Sequence, residues 1–334
     1  LLLFSSVCDG LVKTCEELQA AFDLTKTQDV VIEMHPFEDI NCGTFTTMSM
    51  DSHSLLVESS EDLKHYSGHL NLHQVRFEVT NGATLIWETN VEFNGPTGED
   101  VNGGGMFVGE GSTVRFLNDL MMTDVGVTSV TDESSDFASI QRSGGCVYTD
   151  GSFTVDGHAT FTHCDVTGGG ESPPGPGGAL YVGTSGSVLF NDELEISGVF
   201  LTDDYGGNGG GIYNAGKVDI KANAKFESIV ARDGAALYNA AGAEFRFTNQ
   251  ATALFIDCTS DDGQGSALYN WGNFEFSGPA LFVDVVDPVI YVSSTGVTVL
   301  SENSVFWGNE YAYRGVVLVA SGGQLDVPSS VSFI

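Results

Sequence analysis

The sequence predicts an all-β protein, a right-handed single-stranded parallel β-helix with three short strands in each coil and a short capping helix at its N-terminus. One observation is a phrase of small, aliphatic and aromatic residues that recurs along the chain. A second is that two short segments of alternating polarity follow each phrase. The third is a capping-box motif near the N-terminus, which is typical of a helix start.

The recurring phrase runs from glycines through a small and an aliphatic residue to an aromatic residue. Its aromatic positions are separated by 22 residues (269 to 291) to 41 residues (107 to 148). Because the spacing varies while the order of residue types holds, we expect the extra residues to lie in turns that face solvent. The copies are Gly104–Phe107, Gly144–Tyr148, Gly177–Tyr181, Gly210–Tyr213, Gly234–Tyr238, Gly265–Tyr269 and the weaker Pro288–Tyr291.

The two segments after each phrase predict a second and a third strand. The second alternates, as at 245–247, and the third often reads Ala-x-Phe. Strands of this length cannot bury themselves alone, so we expect equivalent strands to stack about 4.8 Å apart in successive coils. Strand-like segments at 29–34, 46–50, 54–57, 70–79 and 84–87 extend the pattern toward the N-terminus. The third strands predict one core column of phenylalanines: Phe161, Phe226, Phe255, Phe282 and Phe306.

Three asparagines follow the phrase tyrosine in successive coils: Asn214, Asn239 and Asn270. Asparagine tolerates a left-handed backbone, and its side chain can form a hydrogen bond with its counterpart one coil away. We interpret these residues as a turn ladder with a structural role rather than a catalytic one.

The N-terminal segment carries the one clear helix signal. Thr14 and Glu17 have the spacing of a capping box, and Cys15, Leu18 and Phe22 fall on one helix face. Such a helix would shield the open end of the core from edge-to-edge aggregation. We therefore expect a cap at 1–28 and roughly ten coils at 29–334, with the solenoid continuing beyond residue 334.

The charge of the chain restricts its partners. The chain has 12 Lys and Arg residues and 45 Asp and Glu residues, which gives a formal net charge of −33. This surface repels phosphate backbones and anionic lipids, so nucleic-acid binding is not expected. Because no apolar run reaches about 18 residues, membrane insertion is not expected either. Calcium and basic partners remain compatible with the charge.

The cysteines favour an oxidising, extracellular or cell-surface location. Three of the six lie near the start of the chain, and the others are spread through the repeats. An alternative for the later cysteines, including Cys258, is a buried apolar role. The disulfide candidates are Cys8, Cys15, Cys42, Cys146 and Cys164.

The repeats resemble those of a known class of surface protein. Residues 177–180 read Gly-Gly-Ala-Leu and residues 306–309 read Phe-Trp-Gly-Asn. These segments resemble the GGA(I/L/V) and FxxN repeats of polymorphic outer membrane proteins, and the general architecture is similar to the pectin-lyase-like superfamily. One exact copy of each motif is present. The resemblance implies a parallel β-helix and an adhesive role at the cell surface.

Acidic residues between the third strand and the next phrase are the candidate site residues. Asp203 and Asp204, or Asp261 and Asp262, are the carboxylate pairs that hydrolysis of a glycan would need. The same residues together with Asp233 are candidate calcium ligands if the coils stack in register. The alternative is that these aspartates are ordinary turn residues, which we favour.

These observations favour a non-catalytic extracellular or cell-surface scaffold or adhesion module, such as a segment of a surface fibre. Its expected partners are other copies of the chain, surface proteins or glycans. One alternative is a polysaccharide-active enzyme, a lyase or a glycoside hydrolase. The other is a carbohydrate- or protein-binding module that uses the long loops at 127–143 and 168–178.

Overall fold

The structure is a computed structural model of the chain. It describes residues 7–34, 38–59, 69–95, 97–99, 101–128, 143–167, 175–201, 207–286, 288–309 and 315–334. Within these residues the chain is all-β with one short helix, and its strands form long parallel sheets. This arrangement is compatible with a parallel β-solenoid. No helix of the described residues is long and apolar enough to cross a bilayer.

The elements of the N-terminal third are β1 (Val7–Val12), α1 (Cys15–Leu24), β2 (Val30–Met34), β3 (Asp39–Met50), β4 (Ser54–Ser59), β5 (Leu70–Val79), β6 (Thr84–Trp87), β7 (Val91–Asn94), β8 (Thr97–Glu99), β9 (Met106–Val108), β10 (Thr113–Phe116), β11 (Leu120–Thr123) and β12 (Gly126–Thr128). The middle third contains β13 (Val147–Thr149), β14 (Ser152–Val155), β15 (Ala159–Thr162), β16 (Val166–Thr167), β17 (Leu180–Val182), β18 (Ser187–Phe190), β19 (Leu194–Phe200), β20 (Ile212–Asn214), β21 (Lys217–Ile220) and β22 (Ala224–Asp233). The last third contains β23 (Leu237–Asn239), β24 (Glu244–Phe247), β25 (Ala253–Gln264), β26 (Leu268–Asn270), β27 (Asn273–Phe276), β28 (Ala280–Val283), β29 (Ile290–Val292), β30 (Val297–Val299), β31 (Val305–Trp307), β32 (Val317–Val319), β33 (Gln324–Asp326) and β34 (Ser332–Phe333).

Each strand pairs in parallel with the equivalent strand of the next repeat. The second strands form a 12-stranded sheet that runs from β1 to β33. The phrase strands and the third strands belong to a 19-stranded sheet, and β8, β12 and β16 form a small third one. The register keeps equivalent residues side by side, so that Tyr213 pairs with Tyr181 on one side and with Tyr238 on the other. Variable turn lengths therefore leave the repeat order intact.

The core is built from the inward positions of alternating strands. Phe226, Phe255 and Phe282 are fully buried and stack with ring centroids 5.1 and 5.0 Å apart. The stack continues from Phe282 to Phe306 at 4.5 Å. Phe161 shares the column, but the register places Ile196 between it and Phe226. The ring of Phe161 therefore meets Phe190 edge-on instead, at 6.3 Å.

The N-terminal helix α1 packs against the core through Leu18, Ala21 and Phe22. Thr14 and Glu17 form a complete capping box, in which the Thr14 hydroxyl accepts a hydrogen bond from the Glu17 backbone N–H. Phe22 is fully buried, and its ring stacks on that of Phe77 at 4.8 Å. The strand β1 precedes the helix and pairs with β2. The sequence pattern of 1–28 predicts only the helix, so this strand is an addition.

A left-handed residue follows the third-strand position of successive repeats. These residues have φ between 51° and 86°, and most are not glycine. A left-handed conformation costs a non-glycine residue about 1–2 kcal/mol, so the surrounding sheet must hold the turn in place. The column consists of Gln74, Gly95, Asp124, His163, Gly198, Ser228, Asp257, Asp284 and Gly308.

Candidate functional site

The outer face of the phrase strands carries a continuous ladder of stacked aromatic rings, which we call the tyrosine ladder. Each phrase strand buries its first and third residues, so its aromatic residue lies on the opposite face, where Tyr269 is buried as well, at 6% exposure. Neighbouring ring centroids are 4.7 to 5.1 Å apart, and their planes differ by 2° to 14°. The members of the ladder are Phe107, Tyr148, Tyr181, Tyr213, Tyr238, Tyr269 and Tyr291.

Stacking covers the ring faces, and every ring of the ladder except that of Tyr269 remains partly exposed. The Tyr148 hydroxyl donates a hydrogen bond to Asp150 at 2.9 Å. Burial among neighbouring rings raises the pKa of Tyr181 to about 12 and also raises the pKa of Tyr213. The ladder therefore presents a row of neutral phenols on a surface that is otherwise strongly acidic.

The asparagine ladder lies directly behind the tyrosines, on the inner side of the same strands. The Asn214 amide donates a 2.8 Å hydrogen bond to Asn239, which donates a 2.8 Å bond to Asn270. All three residues are fully buried. Their backbone is strand-like rather than left-handed, because alternation points them into the core instead of into a turn. Each asparagine ends its strand, and the Oδ1 atoms of Asn214 and Asn270 accept hydrogen bonds from the Gly216 and Gly272 N–H groups in the turns that follow. The amide contacts between repeats are present as well.

The predicted acidic pairs are only partly within the described residues. Asp203 and Asp204 lie outside them, as does the side chain of Asp262. Asp233 is largely buried beside Arg232, with 3.8 Å between the guanidinium Nε and a carboxylate oxygen. Asp233 pairs in register with Gln264, so Asp261 is not its partner in the next repeat. Among the described residues, no cluster of three or more His, Cys, Asp or Glu side chains is arranged to hold a metal ion.

A second acidic corner contains Asp124, Asp165 and a histidine, His163, for which the sequence predicts no role. His163 Nδ1 lies 3.0 Å from an Asp124 carboxylate oxygen in the preceding repeat. Nearby, Asp165 accepts a 3.0 Å hydrogen bond from the Phe200 backbone N–H, and burial raises the pKa of its carboxyl group. Perturbed carboxyl groups beside a histidine are a common feature of functional sites. Only the strand register brings these residues together, because Asp124 and His163 are 39 residues apart.

Both long loops enter the tyrosine ladder. Most of 127–143 and 168–178 lies outside the described residues. Their described ends lead through Gly144 and Gly177, both with left-handed backbone, into the strands of Tyr148 and Tyr181. A Cβ at Gly144 would lie 2.2 Å from the Val147 carbonyl oxygen, so this entry requires glycine. The loops thus begin beside the first rings of the ladder.

Two disulfides join the predicted cysteines. Cys15 in α1 is bonded to Cys42 in β3, and Cys146 is bonded to Cys164. Cys258 is a buried free thiol, and the side chain of Cys8 lies outside the described residues. The two bonds fit an extracellular location.

Comparisons with known proteins found no matching family model, no matching curated protein and no matching solved structure.

Proposed function

We propose that the chain is a non-catalytic scaffold or adhesion module of the extracellular space or cell surface. In this proposal the parallel sheets close into a right-handed β-helix of the pectin-lyase-like kind, with repeats akin to those of polymorphic outer membrane proteins. The observation that carries the proposal is the outward tyrosine ladder, which keeps one residue type in register from Tyr148 to Tyr291.

The ladder supports a scaffold because it links successive repeats on the outside as the phenylalanine column does on the inside. Each stacked aromatic pair contributes about 0.5–1.5 kcal/mol beyond its buried area. In a repeat protein such contacts between neighbours set the stability of the whole array. Rings held in stacks between repeats resist bending and fraying, which suits an element that transmits force or holds a spacing outside the cell.

The disulfides and the charge support the location and the partners. Cys15–Cys42 ties the cap to the first repeats, and disulfides persist in oxidising compartments. The net charge of −33 makes end-to-end association of copies dependent on salt or divalent cations. Calcium along the acidic edges is the alternative part of the proposal. Its candidates among the described residues, Asp233 and Asp261, are not register partners. The expected partners are other copies, surface proteins and glycans.

Electron microscopy of the oxidised chain, with and without calcium, tests the assembly. We expect rods that join end to end when calcium or salt relieves the repulsion. The same chain with its disulfides reduced is the control, since loss of the cap contacts should shorten or dissolve the rods. Compact single particles under every salt and calcium condition would contradict assembly. Turnover of any polymer in a panel of acidic glycans would favour the enzyme alternative instead.

The loop geometry favours a second candidate function, a module that binds glycans or proteins. The described ends of both long loops lead into the strands that carry the half-buried Tyr148 and Tyr181. A glycan array tests this candidate. It is read with the intact chain and with a variant in which a short glycine-serine turn replaces 129–142. Binding that disappears with the loop while the rods persist would assign recognition to the loop.

A further inference from the structure

The outward face of the last third strands is apolar, and we call it the apolar face. The inward positions of β25, β28 and β31 hold the buried phenylalanine column, so the alternating positions point outward. Register pairs Leu254 with Leu281 and Val305, and Ile256 with Val283 and Trp307. These six side chains form two adjacent columns across three strands. All are at least partly exposed, and Trp307 is 58% exposed.

The same two columns are polar in the three preceding repeats. The equivalents of Leu254 and Ile256 are Lys225 and Glu227 in β22. One repeat earlier they are Glu195 and Ser197, and before that Thr160 and Thr162. The change in polarity occurs between β22 and β25, although the inward residues Phe226 and Phe255 are identical. The sheet itself therefore does not require aliphatic residues on this outer face. Contiguous apolar patches on a soluble surface mark interaction sites.

Carboxylates surround the apolar face. Asp257, within β25, and Asp284, directly after β28, are exposed residues of the left-handed corner column. Glu302 is exposed in the turn before β31. Glu227 borders the face in β22, where it and Glu195 contact the Lys225 ammonium group at 2.6 and 3.0 Å. The charge of Lys225 is thus already neutralised, and the rim of the face is negative.

We propose that the apolar face docks a polypeptide segment that has an aliphatic or aromatic face flanked by Lys or Arg. Aliphatic side chains would bury the six outward residues, while the basic flanks would meet the rim carboxylates. A second copy of this chain fits less well, because two molecules with a formal charge of −33 each repel one another. Anionic membranes are disfavoured for the same reason. This inference goes beyond the proposed scaffold role and does not depend on it.

Binding to designed amphipathic peptides tests the proposal. The probe is a helical peptide with a leucine face and a lysine face, and its counterpart replaces each lysine with glutamate. The patch variant carries Leu254→Thr, Ile256→Thr, Leu281→Thr and Val283→Thr, as in the threonine-bearing repeat at 160–162. The control variant carries Ile86→Thr, Met121→Thr and Leu189→Thr, which are outward, partly exposed positions elsewhere. Both variants keep the charge of the wild type, so non-specific electrostatic attraction is matched.

We expect the wild type and the control variant to bind the lysine peptide equally, and the patch variant to bind it at least about tenfold more weakly. The glutamate peptide should bind all three chains at least about tenfold more weakly than the lysine peptide binds the wild type. Equal binding of the lysine peptide to the patch variant would overturn the proposal. Two further results would overturn it: self-association of the wild type, or its adsorption to zwitterionic vesicles, if the patch variant loses that behaviour and the control variant keeps it. The occupant of the apolar face would then be a second copy of the chain or a membrane.

A second measurement covers the case in which the patch variant does not fold. A photo-reactive leucine analogue in the lysine peptide maps the docking position on the wild type directly. Cross-links within 254–256, 281–283 and 305–307 support the proposal. Cross-links confined to other faces of the sheets overturn it.

Discussion

The guanidinium carbon of Arg76 lies 5.8 Å from the centre of the Phe107 ring, at the N-terminal end of the tyrosine ladder. The residue that pairs with Phe107 in the preceding repeat is Glu78, which forms a 3.1 Å ion pair with Arg76. Arg76 also donates hydrogen bonds of 2.9 Å to the carbonyl oxygens of Asn102 and Gly103. The first ring of the ladder therefore lies against a buried guanidinium group that has both an ion pair and hydrogen bonds, and not against solvent.

Replacing Arg76 should destabilise the protein much more than replacing an exposed arginine. Arg76→Leu leaves two carbonyl groups and Glu78 without their donor, so we expect the free energy of unfolding to fall by about 2–4 kcal/mol. Arg115→Leu is the matched control, because the Arg115 side chain is 50% exposed and its ion pair with Asp156 should contribute less than about 1 kcal/mol. Urea unfolding measures both. Equal losses in the two variants would contradict the anchoring role of Arg76.

The tyrosine ladder should make stability decline at high pH. Burial raises the pKa of Tyr213 and Tyr269, and raises that of Tyr181 to about 12. Above the ordinary phenol pKa of about 10, the unfolded chain loses protons that the folded chain keeps. The stabilisation is thus complete below pH 10 and is lost as the pH rises toward 12. Phenolate absorbance should show late-ionising tyrosines in the folded chain, and Tyr213→Phe should remove one of them without loss of fold. Ionisation of every tyrosine near pH 10 in folded protein would refute the stacked burial.

Asn239 should be the most sensitive member of the asparagine ladder, because it contacts a neighbour on each side. Asn239→Ala removes both 2.8 Å amide contacts and the 3.1 Å bond that Asn239 donates to the Asn273 carbonyl oxygen, which is left without this donor. We expect a loss of about 2–3 kcal/mol in the free energy of unfolding. Asn273→Ala, at an exposed position, should change it by less than about 0.5 kcal/mol. A loss at Asn239 no larger than that at Asn273 would show that the ladder adds nothing to stability.

The cysteine pairing predicts a defined pattern of chemical reactivity. Peptide mapping without reductant should find Cys15 linked to Cys42 and Cys146 linked to Cys164. Reduction should lower the free energy of unfolding by about 3 kcal/mol for each bond, given their separations of 27 and 18 residues. Cys258 should resist alkylation near neutral pH until the chain unfolds, since burial raises the pKa of its thiol to about 12. Rapid alkylation of Cys258 in native protein, or its presence in a disulfide, would contradict this pairing.

The sequence predicted the features that depend on local pattern. Alternation at 70–79 and 84–87 predicted strands that the structure places at Leu70–Val79 and Thr84–Trp87. The capping box at Thr14 predicted the start of α1. In both cases the signal lies within a few residues of the element, so no knowledge of the register was needed.

Register-dependent features whose members share no residue type could not be predicted from the sequence, in contrast to the phenylalanine column and the asparagine ladder. The left-handed corner column contains Gln74, His163 and Ser228, whose residue types share no pattern. The Asp124–His163 contact joins residues from different repeats and becomes visible only when the third strands are aligned. The apolar face was missed for the same reason, since Leu254 and Val305 are 51 positions apart in the chain. If all repeats had the same length, these columns would be visible in the sequence as a fixed period. Because the turns vary in length, no such period exists.

Immunogold electron microscopy of native cells, with an antibody against this chain, tests the central claim most directly. The scaffold account predicts label outside the plasma membrane or cell wall, arranged along fibres or in a continuous coat, with both disulfides intact in extracted protein. Label dispersed through the cytosol, on protein whose Cys15 and Cys146 are reduced, would contradict it.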